Sequence, residues 1–512
     1  MSLAKVLSLG INGIDGYVVT VETDLANGLP AFDIVGLPDA SVKESKERVR
    51  AAIKNSNYTI PVKRITVNLA PADRKKEGAA YDLPISVAIL AAAEQLPSAS
   101  TEGCAFLGEL SLDGELRDIN GILPMVIAAR DNGIKKVFLP AQNANEAAVV
   151  NDIEILGANN ISEIVNHLKG EKLIAPTVID IESIFANNVE YPVDFADVKG
   201  QKSVKRAIEV AVAGGHNIIL IGSPGTGKSM LAQRIPTILP ALSFEEALET
   251  TKVHSIAGVL EPGTSLVTTR PFRSPHHTVS PIGLIGGGSN PKPGEISIAH
   301  NGVLFLDELP EFQRLAIEVM RQPLEDGVVN ITRANTSCTY PSNVLLAASM
   351  NPCKCGYYGD PKHECTCTPP QIQKYMSKIS GPMLDRIDIH VEVPSVSYSD
   401  LSSDAKEECS AEIKKRVEKA RVIQQERYKD DGVYTNSQLS SSMIKKYCCI
   451  SPEIKEVLRS AFDNLGLSAR AHDRILKVAR TIADLEGVEE ITVNHIAEAI
   501  QYRSLDRKFW GA

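Results

Sequence analysis

A glycine-rich segment in the middle of the chain has the composition of a phosphate-binding loop. It fits the pattern G-x-x-x-x-G-K-[ST], and an apolar strand-like run, residues 217–221, precedes a helix-forming run there. Strand, loop and helix in this order form the context in which the motif binds nucleoside triphosphates. Backbone N–H groups approach the phosphates at glycines, and a helix N-terminus favours their charge. The residues expected to hold ATP are Gly222, Ser223, Pro224, Gly225, Thr226, Gly227, Lys228, Ser229 and Met230. We expect Lys228 to reach the β- and γ-phosphates and Ser229 to bind Mg²⁺.

Two more apolar strands end in polar residues that suit the same chemistry. The first, 303–306, is followed by Asp307 and Glu308. We expect Asp307 to hold Mg²⁺ through water and Glu308 to polarise the attacking water. The alternative is that Asp307 caps the next helix. The second strand, 345–350, ends at Asn351, which we expect to contact the γ-phosphate or the water; a turn asparagine is its alternative.

Three arginines late in the chain are further candidates. Arg386 lies beside Asp385 and close to a second acid, an arrangement that is usually a surface ion pair. Arg470 and Arg474 lie one helical turn apart and could face one site. The residues alone leave both a structural and a functional role open.

A block of cysteines has the composition of a metal site. Cys353 and Cys355 are followed, nine residues on, by Cys365 and Cys367, and His363 could replace one of them. In a reducing compartment, clustered cysteines indicate a metal before they indicate disulfides. Four thiolates suit tetrahedral zinc, although C-x-C is tighter than the usual C-x₂-C spacing. Free thiols, disulfides and an iron–sulfur cluster are the alternatives.

The chain that must position these groups has 512 residues, which is long enough for several domains. Residues 1–170 alternate β-branched runs with helical runs and predict an α/β domain; 171–192 lack a clear period and predict a linker. Residues 193–395 hold the ATP motifs, and 396–512 are helical in pattern. The predicted fold class is therefore α/β, with a P-loop core between an N-terminal α/β domain and a helical C-terminal domain.

Composition excludes several classes. The net charge of −9 argues against a protein that coats DNA with its whole surface, but a local basic channel is compatible with it. No apolar run approaches the ~20 residues of a membrane span, and the N-terminus lacks the features of a signal peptide. We expect a cytoplasmic protein.

Several motifs together resemble the magnesium-chelatase-like AAA+ ATPases of the YifB/ComM group. They are residues 194–201, the phosphate-binding loop, RPFRSPHHT (270–278), PGEISIAHNGVLFLDELPEF (293–312), NPCKCGYYGD (351–360) and LDRIDIH (384–390). The resemblance covers nearly the whole chain. It implies a homo-hexameric ring in which Arg386 is the arginine finger that reaches a neighbour's γ-phosphate, and Arg470 is the sensor arginine of a helical lid. Members of the ComM type drive branch migration of DNA during natural transformation.

The N-terminal block resembles the Lon-protease/RadA-type domain. Proteolytic relatives carry their serine nucleophile in the segment that corresponds to residues 75–90, but no serine occurs here between Arg74 and Ile85. The position of their catalytic lysine corresponds to Met125. Without a nucleophile and a base there is no Ser-Lys chemistry, so we expect a non-proteolytic scaffold or a DNA-contacting collar.

DNA contacts are expected at two places. Residues 326–340 predict a β-hairpin with its turn near 334–336, and the resemblance implies that this hairpin projects into the pore with Arg333 near its tip. Arg270 and Arg273 lie in an insert between the two ATP motifs. An ordinary exposed hairpin charge is the alternative for Arg333.

Three functions follow from these features. A DNA translocase or branch-migration helicase is the first, and it alone requires ATP hydrolysis to respond to DNA. A magnesium-chelatase-type motor that remodels a protein partner is the second, although the chain shows no long acidic and proline-rich linker. An ATP-dependent protease-like chaperone is the third, and the missing serine and lysine argue against it.

Overall fold

The computed structural model describes residues 2–97, 99–186, 191–288, 290–332, 337–396, 402, 407–465 and 469–510. The chain divides into two compact units. The first unit comprises Met1–Asn188, Phe244–Thr268 and Thr332–Thr339, and the second comprises Val189–Ser243, Thr269–Ile331 and Tyr340–Ala512. Two segments of the first unit thus come from the part of the sequence that carries the ATP motifs.

The first unit is built on a mixed seven-stranded sheet. In spatial order its strands are Ala31–Val35, Arg64–Ala70, Asp15–Ala26, Ser2–Asn12, Cys104–Phe106, Lys136–Pro140 and Glu154–Ala158. Ser2–Asn12 and Asp15–Ala26 form an antiparallel hairpin, whereas the last three strands run parallel. Alternate residues of Asp15–Ala26, such as Val19 and Val21, are buried, as expected of a strand with one face on a core. A short pair, Glu109–Leu110 and Leu116–Arg117, lies outside this sheet.

Helices cover the sheet of the first unit. They are Ala40–Asn55, Asp82–Ala92, Ile122–Asp131, Ala144–Ala147, Ile161–Lys169, Ile181–Ala186 and Phe244–Ala257. Asp39 begins the first of them by accepting a hydrogen bond from the Val42 N–H at 2.8 Å. Arg48 forms an ion pair with the fully buried Asp82, 2.6 Å between Nε and Oδ2, which joins the first two helices. These two helices agree with the helical runs predicted within residues 1–170.

The second unit is built on a parallel five-stranded sheet. Its spatial order is Phe272–Arg273, Val303–Leu306, Leu345–Met350, Ile218–Ile221 and Ile389–Glu392. The three central strands are buried along their whole length, which is typical of parallel strands covered on both faces. Because the strands run parallel, Gly222, Asp307 and Asn351 all follow them at the same edge of the sheet.

Many helices surround this sheet and make up the C-terminal part of the second unit. They are Lys202–Gly214, Lys228–Ile238, Pro281–Ile285, Glu295–Ile298, Arg314–Val319, Arg321–Asp326, Pro369–Met376, Gly381–Leu384, Ser410–Tyr428, Ser441–Tyr447, Pro452–Leu465, Ala469–Glu486, Val493–Gln501 and Leu505–Trp510. Ile475 and Ile482 of Ala469–Glu486 share one apolar core with Ile218 and Val303 of the sheet. The helical character predicted for the C-terminal region is confirmed.

Two small two-stranded pairs complete the sheets. Gly286–Gly287 pairs antiparallel with Lys292–Pro293, and Val328–Thr332 pairs with Ser337–Pro341. The second pair has the two strands of the predicted hairpin, whose turn near 334–336 lies outside the described residues. No helix within the described residues has the length and apolar character needed to cross a membrane.

Candidate functional site

The phosphate-binding loop connects a buried central strand to a helix. Ile218–Ile221 ends just before Gly222, and Lys228–Ile238 begins after Gly227. Gly225 and Gly227 have φ angles of 78° and 85°, in the left-handed region that other side chains disfavour. A Cβ atom at Gly222 would lie 2.4 Å from a backbone carbonyl oxygen of the neighbouring strand's end. The glycines are therefore required by the shape of the loop, whose N–H groups suit an anion.

Lys228 lies inside this loop and is 8% exposed. Its ammonium group donates to the carbonyl oxygens of Gly222 at 2.8 Å and Ser223 at 3.0 Å, and to Asn351 Oδ1 at 3.2 Å. Burial lowers the pKa of Lys228, and the two acids at the adjacent strand end partly oppose this shift. The structure thus brings Lys228 into direct contact with Asn351, the residue predicted to contact the γ-phosphate or the water.

Asp307 is held by hydroxyl groups from two neighbouring elements. Its Oδ2 accepts from Ser229 Oγ at 2.8 Å, and its Oδ1 accepts from Ser349 Oγ and from the Glu308 N–H at 3.1 Å. Glu308, and not Asp307, occupies the position before the short helical turn Leu309–Glu311. The two residues predicted to bind Mg²⁺ therefore lie together, and a hydroxyl and a carboxylate are oxygen ligands of the kind Mg²⁺ prefers.

Glu308 has an unusual backbone conformation and an exposed carboxylate. Its φ angle is 55°, which costs a non-glycine residue on the order of 1 kcal/mol and is more common at functional sites. The N–H of Glu308 donates to Ser349 Oγ at 3.2 Å, which fixes the backbone. Its side chain is 56% exposed, and His277 Nδ1 lies 3.9 Å from Oε2. The carboxylate is positioned beside the predicted Mg²⁺ ligands and is accessible to water.

Arg386 contacts other groups of its own protomer. Its guanidinium pairs with Glu325 and donates to the carbonyl oxygens of Arg321 at 3.2 Å and Pro382 at 2.7 Å. These contacts anchor the side chain, which is 17% exposed. None of the contacts described for Arg386 reaches the phosphate-binding loop.

Arg470 and Arg474 share one acidic partner, as their helical spacing predicted. Arg470 Nη1 lies 3.1 Å from Asp385 Oδ2, and Arg474 Nη1 lies 3.5 Å from Asp385 Oδ1. Arg474 Nε also pairs with Asp388 at 3.2 Å, whereas Arg470 is 67% exposed. His216, which lies 3.0 Å from Asp388, extends this cluster to the sheet side of the unit. Arg470 is thus the solvent-exposed arginine of the pair, whereas Arg474 is held by two carboxylates.

The four cysteines of the block converge. Sγ–Sγ distances are 3.3 Å for Cys353–Cys355, 3.7 Å for Cys353–Cys365 and 3.5 Å for Cys355–Cys365. The sulfur atoms of all four cysteines, Cys367 included, lie within 4.8 Å of one another. Tetrahedral zinc with Zn–S bonds of about 2.3 Å requires sulfur atoms about 3.8 Å apart. The ring of His363 points to a loop aspartate instead, 3.5 Å away, so the cysteines alone form the cluster.

The electrostatics of the cluster favour a thiolate at Cys355 and disfavour one at Cys365 and Cys367. Backbone N–H groups lower the pKa values of these two thiols, but contacts with the Cys355 and Cys353 sulfur atoms raise them by more. Burial opposes the charged form of Cys355, but the Tyr357 N–H and the Cys353 thiol donate to its sulfur and lower the pKa of Cys355 to about 5. The thiolate is the form that binds a metal ion.

The cysteine loop, which we define as residues 352–368, also contacts the phosphate-binding loop. Ser223 Oγ donates to Asp360 Oδ2 at 2.6 Å, and this hydrogen bond is the main cause that lowers the pKa of Asp360 to about 2. Gly356 lies so close to Pro224 that a Cβ atom would approach its Cδ to 2.6 Å. The two loops are therefore in van der Waals and hydrogen-bond contact.

Two of the three arginines predicted to contact DNA form contacts within the protein. Arg270 donates to the carbonyl oxygens of Pro240 at 2.6 Å and Asn301 at 2.7 Å, and Arg273 forms a bidentate pair with Glu295 at 2.7 and 2.9 Å. Both guanidinium groups thus have partners within the protein. Arg333 lies outside the described residues. All three DNA contacts stay predictions.

In the first unit, the segments that correspond to a protease site carry other side chains. Met125 lies in Ile122–Asp131 and is 2% exposed. Lys76, which the sequence did not single out, is fully buried and donates to the carbonyl oxygens of Pro71 and of Arg74, the latter at 2.8 Å. Its ammonium is therefore used in holding a turn.

Three residues of the site were not found from the sequence. Ser349 lies inside an apolar strand, so only the pairing of that strand beside Val303–Leu306 reveals its contact with Asp307. Asp360 and His277 lie in loops, where sequence spacing does not determine spatial neighbours. The motifs that contain them were noted, but no pattern assigned either residue a contact.

Comparison with known proteins agrees with this architecture. The family model described as "Magnesium chelatase, subunit ChlI" matches residues 194–401, "Subunit ChlI of Mg-chelatase" matches 21–143, and "Magnesium chelatase, subunit ChlI C-terminal" matches 407–503. A Lon protease of Rhizobium meliloti is 24% identical over 174 residues, which are 32% of this chain and 21% of the protease.

Two bacterial proteins are similar along the full chain. The competence protein ComM of Haemophilus influenzae is 44% identical over 509 residues, covering 99% of this chain and 98% of ComM. YifB of Salmonella typhimurium is 43% identical over 509 residues, with the same coverage of 99% and 98%. The P-loop core, the acids at its strand ends and this full-length similarity lead to one conclusion: the chain belongs to the YifB/ComM family of magnesium-chelatase-like AAA+ ATPases.

Proposed function

We propose that the protein is an ATP-driven homo-hexameric ring motor that acts on DNA. The observation that carries the ATPase part is the convergence of Lys228, Ser229, Asp307 and Asn351 at one edge of the parallel sheet. Lys228 would bind the β- and γ-phosphates, Ser229 and Asp307 would hold Mg²⁺, and Asn351 would contact the γ-phosphate. Glu308, exposed beside them, would polarise the attacking water.

In this proposal, two arginines complete the positive charge around the nucleotide, and one of them comes from the neighbouring subunit of the ring. The Arg386 side chain is 17% exposed and its described contacts lie away from its own phosphate-binding loop, as an arginine that completes a neighbour's site requires. Arg470 is exposed on the helical region, 3.1 Å from Asp385, and is long enough to turn toward bound nucleotide. An arginine supplied in trans makes hydrolysis depend on assembly.

The DNA part rests on the hairpin and on the full-length similarity to a competence protein. Val328–Thr332 and Ser337–Pro341 form a hairpin whose second strand is followed closely by Leu345–Met350, the strand that leads to Asn351. A change at the γ-phosphate therefore has a short covalent path to the hairpin turn, where Arg333 would contact DNA phosphate. Branch migration of recombination intermediates, and hence a role in natural transformation, is the activity we propose.

ATPase assays with single-stranded, duplex and branched DNA test this function. We expect DNA to stimulate hydrolysis, and Arg333→Ala to keep basal hydrolysis while losing stimulation and strand movement. Loss of one phosphate contact should also reduce the salt slope of DNA binding by about one unit for each subunit engaged. Arg459→Ala, which removes an arginine that is 72% exposed on Pro452–Leu465, is the matched control. An ATP hydrolysis rate that is the same without DNA and with each of the three DNA forms would refute the DNA role.

The second candidate is a magnesium-chelatase-type motor subunit that remodels a protein partner; the matching family model describes a subunit of magnesium chelatase. It predicts ATPase activity that is indifferent to DNA, so the same assay separates the two. The third, a protease-like chaperone, is disfavoured by the absence of a serine at 75–84 and by Met125. We propose that residues 1–170 form a non-proteolytic domain, 171–192 a linker, 193–395 the ATPase core and 396–512 the helical lid.

We further propose that Cys353, Cys355, Cys365 and Cys367 bind one structural zinc ion. The spread of their sulfur atoms, within 4.8 Å, is close to that of a tetrahedral Cys₄ site. Metal analysis after purification without chelators should find about one zinc per chain. Protein that is fully reduced and contains no zinc, and that does not take it up on addition, would contradict the site.

A further inference from the structure

The cysteine loop has no regular structure of its own. It begins directly after Asn351, ends at the helix Pro369–Met376, and between these points the described backbone contains only turns and bends. Such a segment keeps one conformation only if tertiary contacts or a cross-link hold it. The four cysteines provide a cross-link when a metal ion joins them, and small metal-bound loops commonly owe their folding to the ion.

The contacts that this loop makes with the phosphate-binding loop lie between its cysteines. Gly356 follows Cys355 directly and packs against Pro224. Asp360 lies between Cys355 and Cys365, its side chain is 6% exposed, and it accepts the Ser223 hydroxyl at 2.6 Å. Its other oxygen accepts the N–H groups of residues 362 and 363, so the carboxylate is locked in orientation. A change in how the cysteines are joined would therefore act on the segment that carries both contacts.

We propose that a thiophilic divalent cation, zinc or a similar ion, held by the four cysteines, sets the nucleotide affinity of the adjacent phosphate-binding loop. The inference rests on the proposed ATP and zinc sites and adds regulation to them. With the ion bound, Asp360 fixes Ser223 and Gly356 supports Pro224, so the loop is held in the shape that presents its N–H groups to phosphate. Without the ion, both supports are lost together.

The expected size follows from population arithmetic. If the unsupported loop has its nucleotide-binding conformation in about one molecule out of ten, the apparent Kd rises about tenfold, because the apparent Kd is the intrinsic Kd divided by that fraction. Lys228 would be affected as well, because its acceptors include the Ser223 carbonyl oxygen and Asn351, the residue at which the cysteine loop begins. The effect should therefore appear in binding, before any hydrolysis.

A second contact supplies an independent signal. Tyr358 of the cysteine loop packs edge-on against Phe509, with ring centroids 6.3 Å apart, and Phe509 in turn contacts Trp510 at 5.9 Å. Trp510 is the only tryptophan in the chain. Its fluorescence should change when the cysteine loop is released, whether or not nucleotide is present.

The experiment compares zinc-loaded full-length protein with the same protein stripped by a zinc-selective chelator under reducing conditions, with Mg²⁺ in excess. The probe is a fluorescent, slowly hydrolysed ATP analogue. We expect removal of zinc to raise the Kd about tenfold and to change Trp510 emission, and re-addition of zinc to reverse both. An unchanged Kd in stripped protein that still binds the analogue overturns the inference.

Asp360→Ala tests the route. This variant should still bind one zinc, should bind nucleotide more weakly than the unsubstituted protein, and should lose most of its response to zinc. Glu364→Gln removes an exposed carboxylate from the same loop and should respond like the unsubstituted protein. A full zinc response in Asp360→Ala overturns the route through Ser223. If zinc-loaded protein binds no nucleotide at all, the proposed ATPase function itself fails, and this outcome is distinct from an unchanged Kd.

Discussion

Arg386 provides a sharp test of the ring model because its structural and catalytic contributions differ in size. In the protomer it pairs with Glu325; the Glu325 side chain is 64% exposed but that of Arg386 only 17%, so this half-buried pair contributes about 1 kcal/mol to stability. Its hydrogen bonds to the carbonyl oxygens of Arg321 and Pro382 contribute about 0.5–1.5 kcal/mol each. Arg386→Ala should therefore lower the melting temperature by about 5–15 °C. An arginine finger contributes about 10³- to 10⁵-fold in rate, which is about 4–7 kcal/mol of activation free energy. A purely structural role cannot produce a loss of that size.

The assay measures ATP hydrolysis, nucleotide binding and thermal stability in the same preparations. Arg386→Ala should bind nucleotide nearly normally and should hydrolyse at least about 10³-fold more slowly, with or without DNA. Glu325→Gln breaks the same ion pair from the other side and leaves the arginine in place, so its hydrolysis should not fall. Equal losses in both variants, or normal hydrolysis in Arg386→Ala, would refute the assignment.

Mixed assemblies separate action in trans from action in cis. A ring made of Arg386→Ala and Lys228→Ala subunits contains some junctions where an intact phosphate-binding loop meets an intact neighbouring arginine. Such rings should regain part of the hydrolysis that each variant lacks alone. No recovery at any mixing ratio, in rings shown to contain both variants, would argue that Arg386 does not act across the interface.

Further expectations concern the site and the first unit. Glu308→Gln should bind ATP and hydrolyse it about 10²- to 10⁴-fold more slowly, whereas Lys228→Ala should fail to bind; normal turnover by the Gln variant would remove Glu308 from its role. Replacing Cys365 and Cys367 with Ser should release zinc and lower the melting temperature, as metal analysis and calorimetry would show. Asp82→Ala leaves the Arg48 guanidinium without its buried partner and should destabilise the first unit by about 3 kcal/mol in denaturant unfolding, while a change near zero would mean the pair is dispensable. Unfolded model substrates should stay intact on incubation with ATP and the full-length protein.

Sequence patterns predicted which residues lie together at the strand ends because these patterns are local. A strand, a glycine loop and a helix are contiguous, and parallel strands carry Gly222, Asp307 and Asn351 to one edge whatever the intervening loops do. The closeness of Lys228 and Asn351 follows from that rule alone. The roles of these residues, by contrast, are chemical proposals that binding and rate measurements must decide.

Contacts made by loops could not be predicted in the same way. Asp360 reaches Ser223 across 137 positions of sequence, and no periodicity encodes such a meeting. Likewise, Arg386 lies beside Asp385 in sequence, yet its guanidinium pairs with Glu325, 61 positions away. Sequence neighbours indicated that acids surround the arginine; only the fold decides which acid it contacts.

The division into units has a consequence for how the chain can be cut and recombined. The chain passes from one unit to the other five times, after residues 188, 243, 268, 331 and 339. In the first unit, Leu248 of Phe244–Ala257 packs into the apolar cluster around Ile122–Asp131, and Ser255 donates to the buried Glu146. A fragment that stops at residue 188 would therefore expose part of its own core. A fragment of the first unit must therefore retain 244–268, and an exchange of residues 1–188 alone would leave that unit incomplete.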